Sequence, residues 1–275
     1  MSVALDPAAQ AFDAIAQQFD ARFGAWRSVA AQRAAVRAAL LQAFPVGARV
    51  LELGGGTAED AAWLTYRGRA VTMTDVSPMM VDVARVKLAP LGAPVPRVVD
   101  AGALDQASGQ LVAANGGLFD GAFSNFASLN CVTDLAPTAR GLAQLVRPGG
   151  QALLVVFGSS CVGEVVVQFA RRDPRAAFRR MSRNDVPARL GGRSFAVRYH
   201  RRRDIEQVMA PWFRLVAMKG IGVFVPPSGA EPWISNWPRL LKGLEHADRV
   251  VSGALAPLGD HVLYALERTS AEFVS

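Results

Sequence analysis

Cysteine is nearly missing from this 275-residue chain, which has only Cys131 and Cys161. Two are too few for a disulfide framework, and their spacing is not that of metal ligands. Histidine is as scarce. His200, His246 and His261 stand scattered, so no metal centre is expected. No run approaches the roughly 18 uncharged apolar residues that would span a membrane. No basic region precedes an apolar core near the N-terminus, where Asp6 and Asp13 stand instead, so a secretory signal is not expected. Internal repeats and low-complexity linkers are missing too. These absences predict a soluble cytoplasmic protein, monomer or homodimer.

What is present is core and positive charge. A hydrophobic fraction of 51% and the length suit one α/β domain, residues 1–275, with an insertion. The net charge of +7 raises the question of an anionic partner. Residues 7–44 read as two helices. Pro7 suits a first turn after Asp6, Gly24 breaks the pattern, and Pro45 and Gly47 end it. Residues 1–46 would form a helical lid. Strands are expected at 49–53, 70–74, 97–99, 119–124 and 151–157. Helical stretches at 58–66, 77–88 and 135–146 alternate with them, which predicts a mostly parallel, doubly wound sheet. The rhythm then breaks. Residues 158–203 hold twelve arginines and read as a cap insertion, helical over 162–181 and strand-like over 193–200. A helix at 204–209, a strand at 213–223, a helix at 237–251 and a strand at 261–267 close the chain.

The stretch Val50-Leu51-Glu52-Leu53-Gly54-Gly55-Gly56-Thr57-Ala58 is a strand, a tight turn and a helix start. Such a junction holds ligands beyond the carboxyl end of a strand. Glycine there permits positive φ and lets a ligand lie against bare main chain. Asp75 follows about 20 residues later at the end of the next strand, where a carboxylate can accept both ribose hydroxyls. Asp100 ends the third strand. Helix capping is the plainer role for either aspartate alone. A dinucleotide turn needs a third glycine where Glu59 stands, a carboxylate that would face a pyrophosphate. This argues against a nucleotide-cofactor oxidoreductase. The Walker phosphate-binding motif is absent as well. A phosphate-free ligand with a positive centre suits the acidic turn better.

These residues resemble the class I S-adenosylmethionine-dependent methyltransferases, closely over about 48–157 and loosely elsewhere. The resemblance implies a Rossmann-like, seven-stranded sheet whose seventh strand is antiparallel. It has N-terminal helices, and here a cap after the fifth strand. It implies S-adenosyl-L-methionine as cofactor and S-adenosyl-L-homocysteine as product. Glu52, Gly54, Gly55 and Gly56 would form the cofactor turn, with Ala58 in place of the family's last glycine. Asp75 would take the ribose. Val76 and Met80, or Met79, would meet the adenine, with Asp100 and Ala101 at its edge. Asn125 would end the fourth strand beside the cofactor, and Leu145–Gly150 would be the turn before strand five.

Methyl transfer needs a general base only when the acceptor must lose a proton. Candidates are His200, Glu164 and Tyr199. The plainer readings are a satisfied surface histidine and a first-turn carboxylate. Asn130 and Phe19 are the candidate substrate contacts. Phe12, Phe23 and Trp26 would line a ligand with Phe19, or simply pack. Cys131 reads as a small apolar residue. Ser124-Asn125-Phe126-Ala127 lacks the [DNS]-P-P-[YF] run of many nucleic-acid amino-methyltransferases. A small-molecule oxygen or nitrogen acceptor is therefore expected. The cap arginines would pair an anionic acceptor bidentately, and Val165, Val166, Val167 and Phe169 would wall it. The alternatives are an RNA methyltransferase and a non-catalytic cofactor-binding module.

Overall fold

Strand β1, Arg49–Leu53, is buried at every residue after the first, as a central strand covered on both faces must be. A computed structural model describes residues 6–271. Around β1 lie β2 (Ala70–Asp75), β3 (Arg97–Val98), β4 (Phe119–Ser124) and β5 (Val146–Phe157). The chain also forms β6 (Val186–Leu190), β7 (Arg193–Val197), β8 (Phe213–Ile221) and β9 (His261–Arg268). Seven strands make one sheet in the order β3-β2-β1-β4-β5-β9-β8, and β6 and β7 form a separate hairpin. The first five run parallel, while β9 runs antiparallel to both β5 and β8. This is the expected doubly wound, Rossmann-like sheet, antiparallel seventh strand included.

Alternation along the strands builds two cores. Leu51, Leu53, Leu154 and Val156 face one side. There they meet α6 (Leu104–Asn115), α7 (Ala136–Leu145) and α10 (Arg202–Met209). Val50, Val71, Leu153 and Val155 face the other side, covered by α3 (Arg27–Ala43), α4 (Glu59–Thr65) and α5 (Pro78–Leu88). Gly121 is needed where β4 passes α3. A Cβ there would meet the Phe44 ring and lie 2.5 Å from the Gln151 carbonyl.

The local expectations need correction in four places. The N-terminal segment is three helices, not two. These are α1 (Pro7–Asp13), capped by Asp6 at 2.7 Å from the Ala8 amide, then α2 (Phe19–Phe23), then α3. Helix α6 had no expectation at all. It buries only Leu104 and Leu111, too little for an apolar period to stand out. The expected helix over 162–181 is α8 (Val162–Ala170) followed by α9 (Pro174–Ala177) and a short 3-10 turn. The break falls at Arg172, whose φ is 59°, and at Pro174. Strand β6 was also unexpected, since its Val-Pro-Ala-Arg-Leu run has no strand-like composition. The last helix is α11 (Pro238–Val251).

The β6–β7 hairpin reaches back to α1. Phe12 and Phe195 rings lie 5.9 Å apart, and Arg193 Nη1 donates to Gln10 Oε1 at 2.9 Å. The N-terminal helices and the cap therefore lean on one another. Among the described residues no helix is long and apolar enough to cross a membrane.

Candidate active site

The turn after β1 has positive φ at Gly54 (63°), Gly56 (56°) and Ala58 (64°). Alanine thus keeps the left-handed backbone that the family's glycine would give. A Cβ on Gly54 would strike the Ser128 side chain. Ser128 Oγ in turn bonds the Leu53 carbonyl at 3.2 Å and Ser124 Oγ at 2.6 Å. Gly54 is therefore required by packing against Ser128. On Gly55, a Cβ would come within 2.8 Å of Glu52 Oε2. Gly56 opens onto free space, and its amide donates to Asp75 Oδ2 at 2.8 Å. Asp75 Oδ1 accepts from the Ser77 amide at 2.9 Å. Burial raises the Asp75 carboxyl above its ordinary range, and the Ser77 and Gly56 amides oppose this.

Glu52 is 2% exposed, and its Oε2 has no hydrogen-bond partner. Burial, then the nearby Asp60, pushes its carboxyl well above the usual range. A buried carboxyl with a bare oxygen favours a donor or cation beside it. S-adenosylmethionine carries an ammonium, a sulfonium and ribose hydroxyls. Bare Glu52, the open face of Gly56 and the Asp75 carboxylate fit such a group.

The remaining expected cofactor residues are placed as follows. Asp100 is exposed, two residues past β3, and its Oδ1 accepts from the Gly102 amide at 2.7 Å. That is a capping role. Half-buried Ala101 follows it, its carbonyl accepting from Thr138 at 2.7 Å. Val76 is half-buried, but Met80 is 1% exposed and packs with Ile15 and Ala16 under the lid. Asn125 is turned to the protein: Nδ2 donates to Asp60 Oδ2 at 2.7 Å, and Oδ1 accepts from the Phe126 amide at 2.8 Å. Asp60 also pairs with Arg33 at 2.8 Å and Arg37 at 2.7 Å.

On the acceptor side the expected groups are largely engaged elsewhere. His200 Nε2 lies 2.8 Å from the Val132 carbonyl and 3.3 Å from that of Leu129, so this nitrogen donates and is not a free base. Burial holds the His200 pKa below its ordinary value. Asn130 is fully buried. Its amide bonds the Arg198 carbonyl at 2.6 Å and the Phe157 amide at 2.9 Å. It clamps the cap to β5 and presents no free group. Phe19 packs on Phe23 at 4.8 Å inside the lid cluster. Glu164 is ion-paired with Arg180 and with Arg179, so it too is occupied. Tyr199 is 7% exposed, 6.0 Å from Phe157, and burial raises its pKa. Of the α8 residues expected to wall the acceptor, Val166 is 62% and Phe169 51% exposed, while Val165 and Val167 are half-buried.

The structure brings together residues the sequence reading missed. Arg180 is buried between Glu164 and Asp260, donating to Asp260 Oδ1 at 2.7 Å. Gln32 of α3 donates to Asp260 Oδ2 at 3.1 Å. His261 opens β9 opposite Phe157, the last residue of β5, and stacks on that ring at 4.8 Å. Phe126 meets His261 edge-on at 5.7 Å. The available signal was the Gly259-Asp260-His261 run before a strand. Among the described residues no cluster of His, Cys, Asp or Glu could hold a metal ion.

A family profile described as a methyltransferase domain matches residues 25–211. Among solved structures, an S-adenosylmethionine dependent methyltransferase from Mesorhizobium loti is similar over 84% of this chain and 96% of its own. The identity is 18% and the TM-score 0.50. Geranyl diphosphate C-methyltransferase from Streptomyces coelicolor, solved with Mg2+, geranyl diphosphate and S-adenosyl-L-homocysteine, is similar over 86% of this chain and 79% of its own. That identity is 14% and the TM-score 0.52. No curated protein matches significantly.

Proposed function

The chain belongs to the S-adenosylmethionine-dependent methyltransferases, and from that premise we propose that it methylates an oxygen or nitrogen of a small-molecule acceptor. It is an enzyme whose cofactor is S-adenosylmethionine, with S-adenosylhomocysteine as product. When bound, the cofactor supplies a methyl group made electrophilic by its sulfonium. The chain's own part is to orient and to exclude water. Positioning alone can contribute roughly 7–11 kcal/mol in favourable intramolecular cases.

The observation that carries this reading is the set of buried, unpaired Glu52 Oε2, open Gly56 and the Asp75 carboxylate at one sheet edge. Residues 6–46 act as a lid and 158–203 as a cap over that edge. The reaction belongs to the cytoplasm, in a monomer or homodimer. Calorimetric titration with S-adenosylmethionine, S-adenosylhomocysteine and the nicotinamide cofactors tests it. The sulfur cofactors should bind and the nicotinamides should not. Asp75→Ala should weaken S-adenosylmethionine by about 1.5–3 kcal/mol, as for hydrogen bonds to a charged group. Unchanged affinity in a folded variant removes Asp75 from the site.

A further inference from the structure

Resting on the methyl-transfer reading, we propose that Asp260 and His261 are the proton-accepting pair of the acceptor site. The acceptor they fit is a planar, phenol-type hydroxyl compound.

Location is the first argument. His261 begins β9 at the carboxyl end of β5, on the sheet edge that carries the glycine turn. The loop after β4 joins the two. Ser128 lies against Gly54 and Phe126 against His261. In that loop Phe126 (φ 48°) and Ala127 (φ 62°) hold left-handed backbone without being glycine, strain of the kind that gathers at active sites.

Chemistry is the second. His261 is 5% exposed, and its Nδ1 is closed off from solvent without a hydrogen bond. The nearest charge is Asp260 Oδ2 at 3.5 Å. Such catalytic contacts are often long before substrate binds. Burial raises the Asp260 carboxyl, but His261, Arg180 and Gln32 together hold it below its ordinary range, so it is placed to fix a proton on Nδ1 and leave Nε2 as the base. Burial keeps His261 below its ordinary pKa. Asp260 pulls it up and Arg180 pulls it down. The other charged neighbours are Glu164, which faces Arg180, and Arg33, whose guanidinium lies 4.4 Å over the Phe126 ring. Unlike His200, this imidazole donates to no backbone carbonyl among the described residues.

A base identifies the acceptor. A neutral amine can attack unaided, whereas a hydroxyl must lose its proton. As the acceptor oxygen bonds the methyl carbon, the sulfur keeps the electron pair of the broken bond. The hydroxyl proton moves to Nε2 and then to solvent. An imidazole suits an acidic hydroxyl, and Phe126, Phe157 and Tyr199 surround the pair with aromatic rings suited to a flat one, Phe126 already carrying Arg33 and Phe157 already carrying His261 and Arg180.

The test uses full-length protein saturated with S-adenosylhomocysteine, with phenol and 4-nitrophenol as probes. Calorimetry should detect the phenols, and the 15N signals of His261 should shift with them. With tritiated cofactor, phenols should be methylated, and any transfer to aniline, which needs no base, should not depend on His261. His261→Gln should cut transfer to phenols about 100-fold or more and abolish the acid limb of the kcat/KM profile. Its S-adenosylhomocysteine affinity should stay within threefold, which also certifies its fold should Asp260→Asn fail to fold. Absence of phenol binding, His261 signals indifferent to phenols, or undiminished transfer by His261→Gln overturns the proposal. Failure of S-adenosylhomocysteine itself to bind overturns the methyl-transfer reading instead.

Discussion

Glu52 shows how a single side chain can be kept against the interest of the fold. Its carboxyl pKa is raised by burial, so the folded state prefers the protonated form. The stabilising effect of that preference is complete below the ordinary glutamate pKa, about 4.3. It is lost as pH rises toward the raised folded value. Glu52→Gln should therefore raise the melting temperature at pH 7–8 while weakening S-adenosylmethionine. Parallel thermal melts and titrations check this, and a variant that melts lower breaks the argument. Gly54 is the converse case. Gly54→Ala should destabilise by about 2–4 kcal/mol, through left-handed strain and crowding of Ser128. Adding Ser128→Gly should recover only the crowding share, read by urea denaturation as non-additivity. The glycine turn and Asp75 were legible because strand, turn and carboxylate follow at fixed short spacing. The Arg180–Asp260 pair was not, because its members lie 80 residues apart, and Arg180 looked like one of twelve arginines.

Elements were legible where burial is one-sided and illegible where it is thin. The strands of the main sheet follow the apolar runs except β3, whose two residues are both exposed, whereas α6 and β6 are nearly mute in composition. Helix α8 has an unusual burial pattern. It buries Glu164, exposes Val162 and Val166 and half-buries Val165 and Val167, so its apolar stripe is only partly covered. The N-terminal helices are tied down by Asp13, whose Oδ1 accepts from Ser77 Oγ at 2.5 Å and from the Met79 amide at 3.0 Å. Asp13→Ala should speed S-adenosylhomocysteine release about tenfold, near 1.4 kcal/mol, in stopped-flow measurements. Asn130→Ala strands the Phe157 amide and the Arg198 carbonyl. It should cost about 2–4 kcal/mol, since each buried unpaired group costs roughly 1–3, and a chemical melt would show it.

At the scale of the whole molecule, charge distinguishes the rival acceptors. Arg171, Arg172, Arg175 and Arg183 are exposed on the cap. A duplex nucleic-acid partner would lose roughly 0.9 log units of affinity per phosphate contact for each decade of salt. Binding of a small acceptor should change far less. Steep, salt-sensitive RNA binding lost on replacing these arginines would promote the nucleic-acid reading. Phe12 against Phe195 and Gln10 against Arg193 join the N-terminal helices to the β6–β7 hairpin. On the proposed lid-and-cap reading a cover so joined lifts as one for both products. Product release should then be the slow step, and a first turnover faster than those that follow should be read as a burst in rapid-quench measurements.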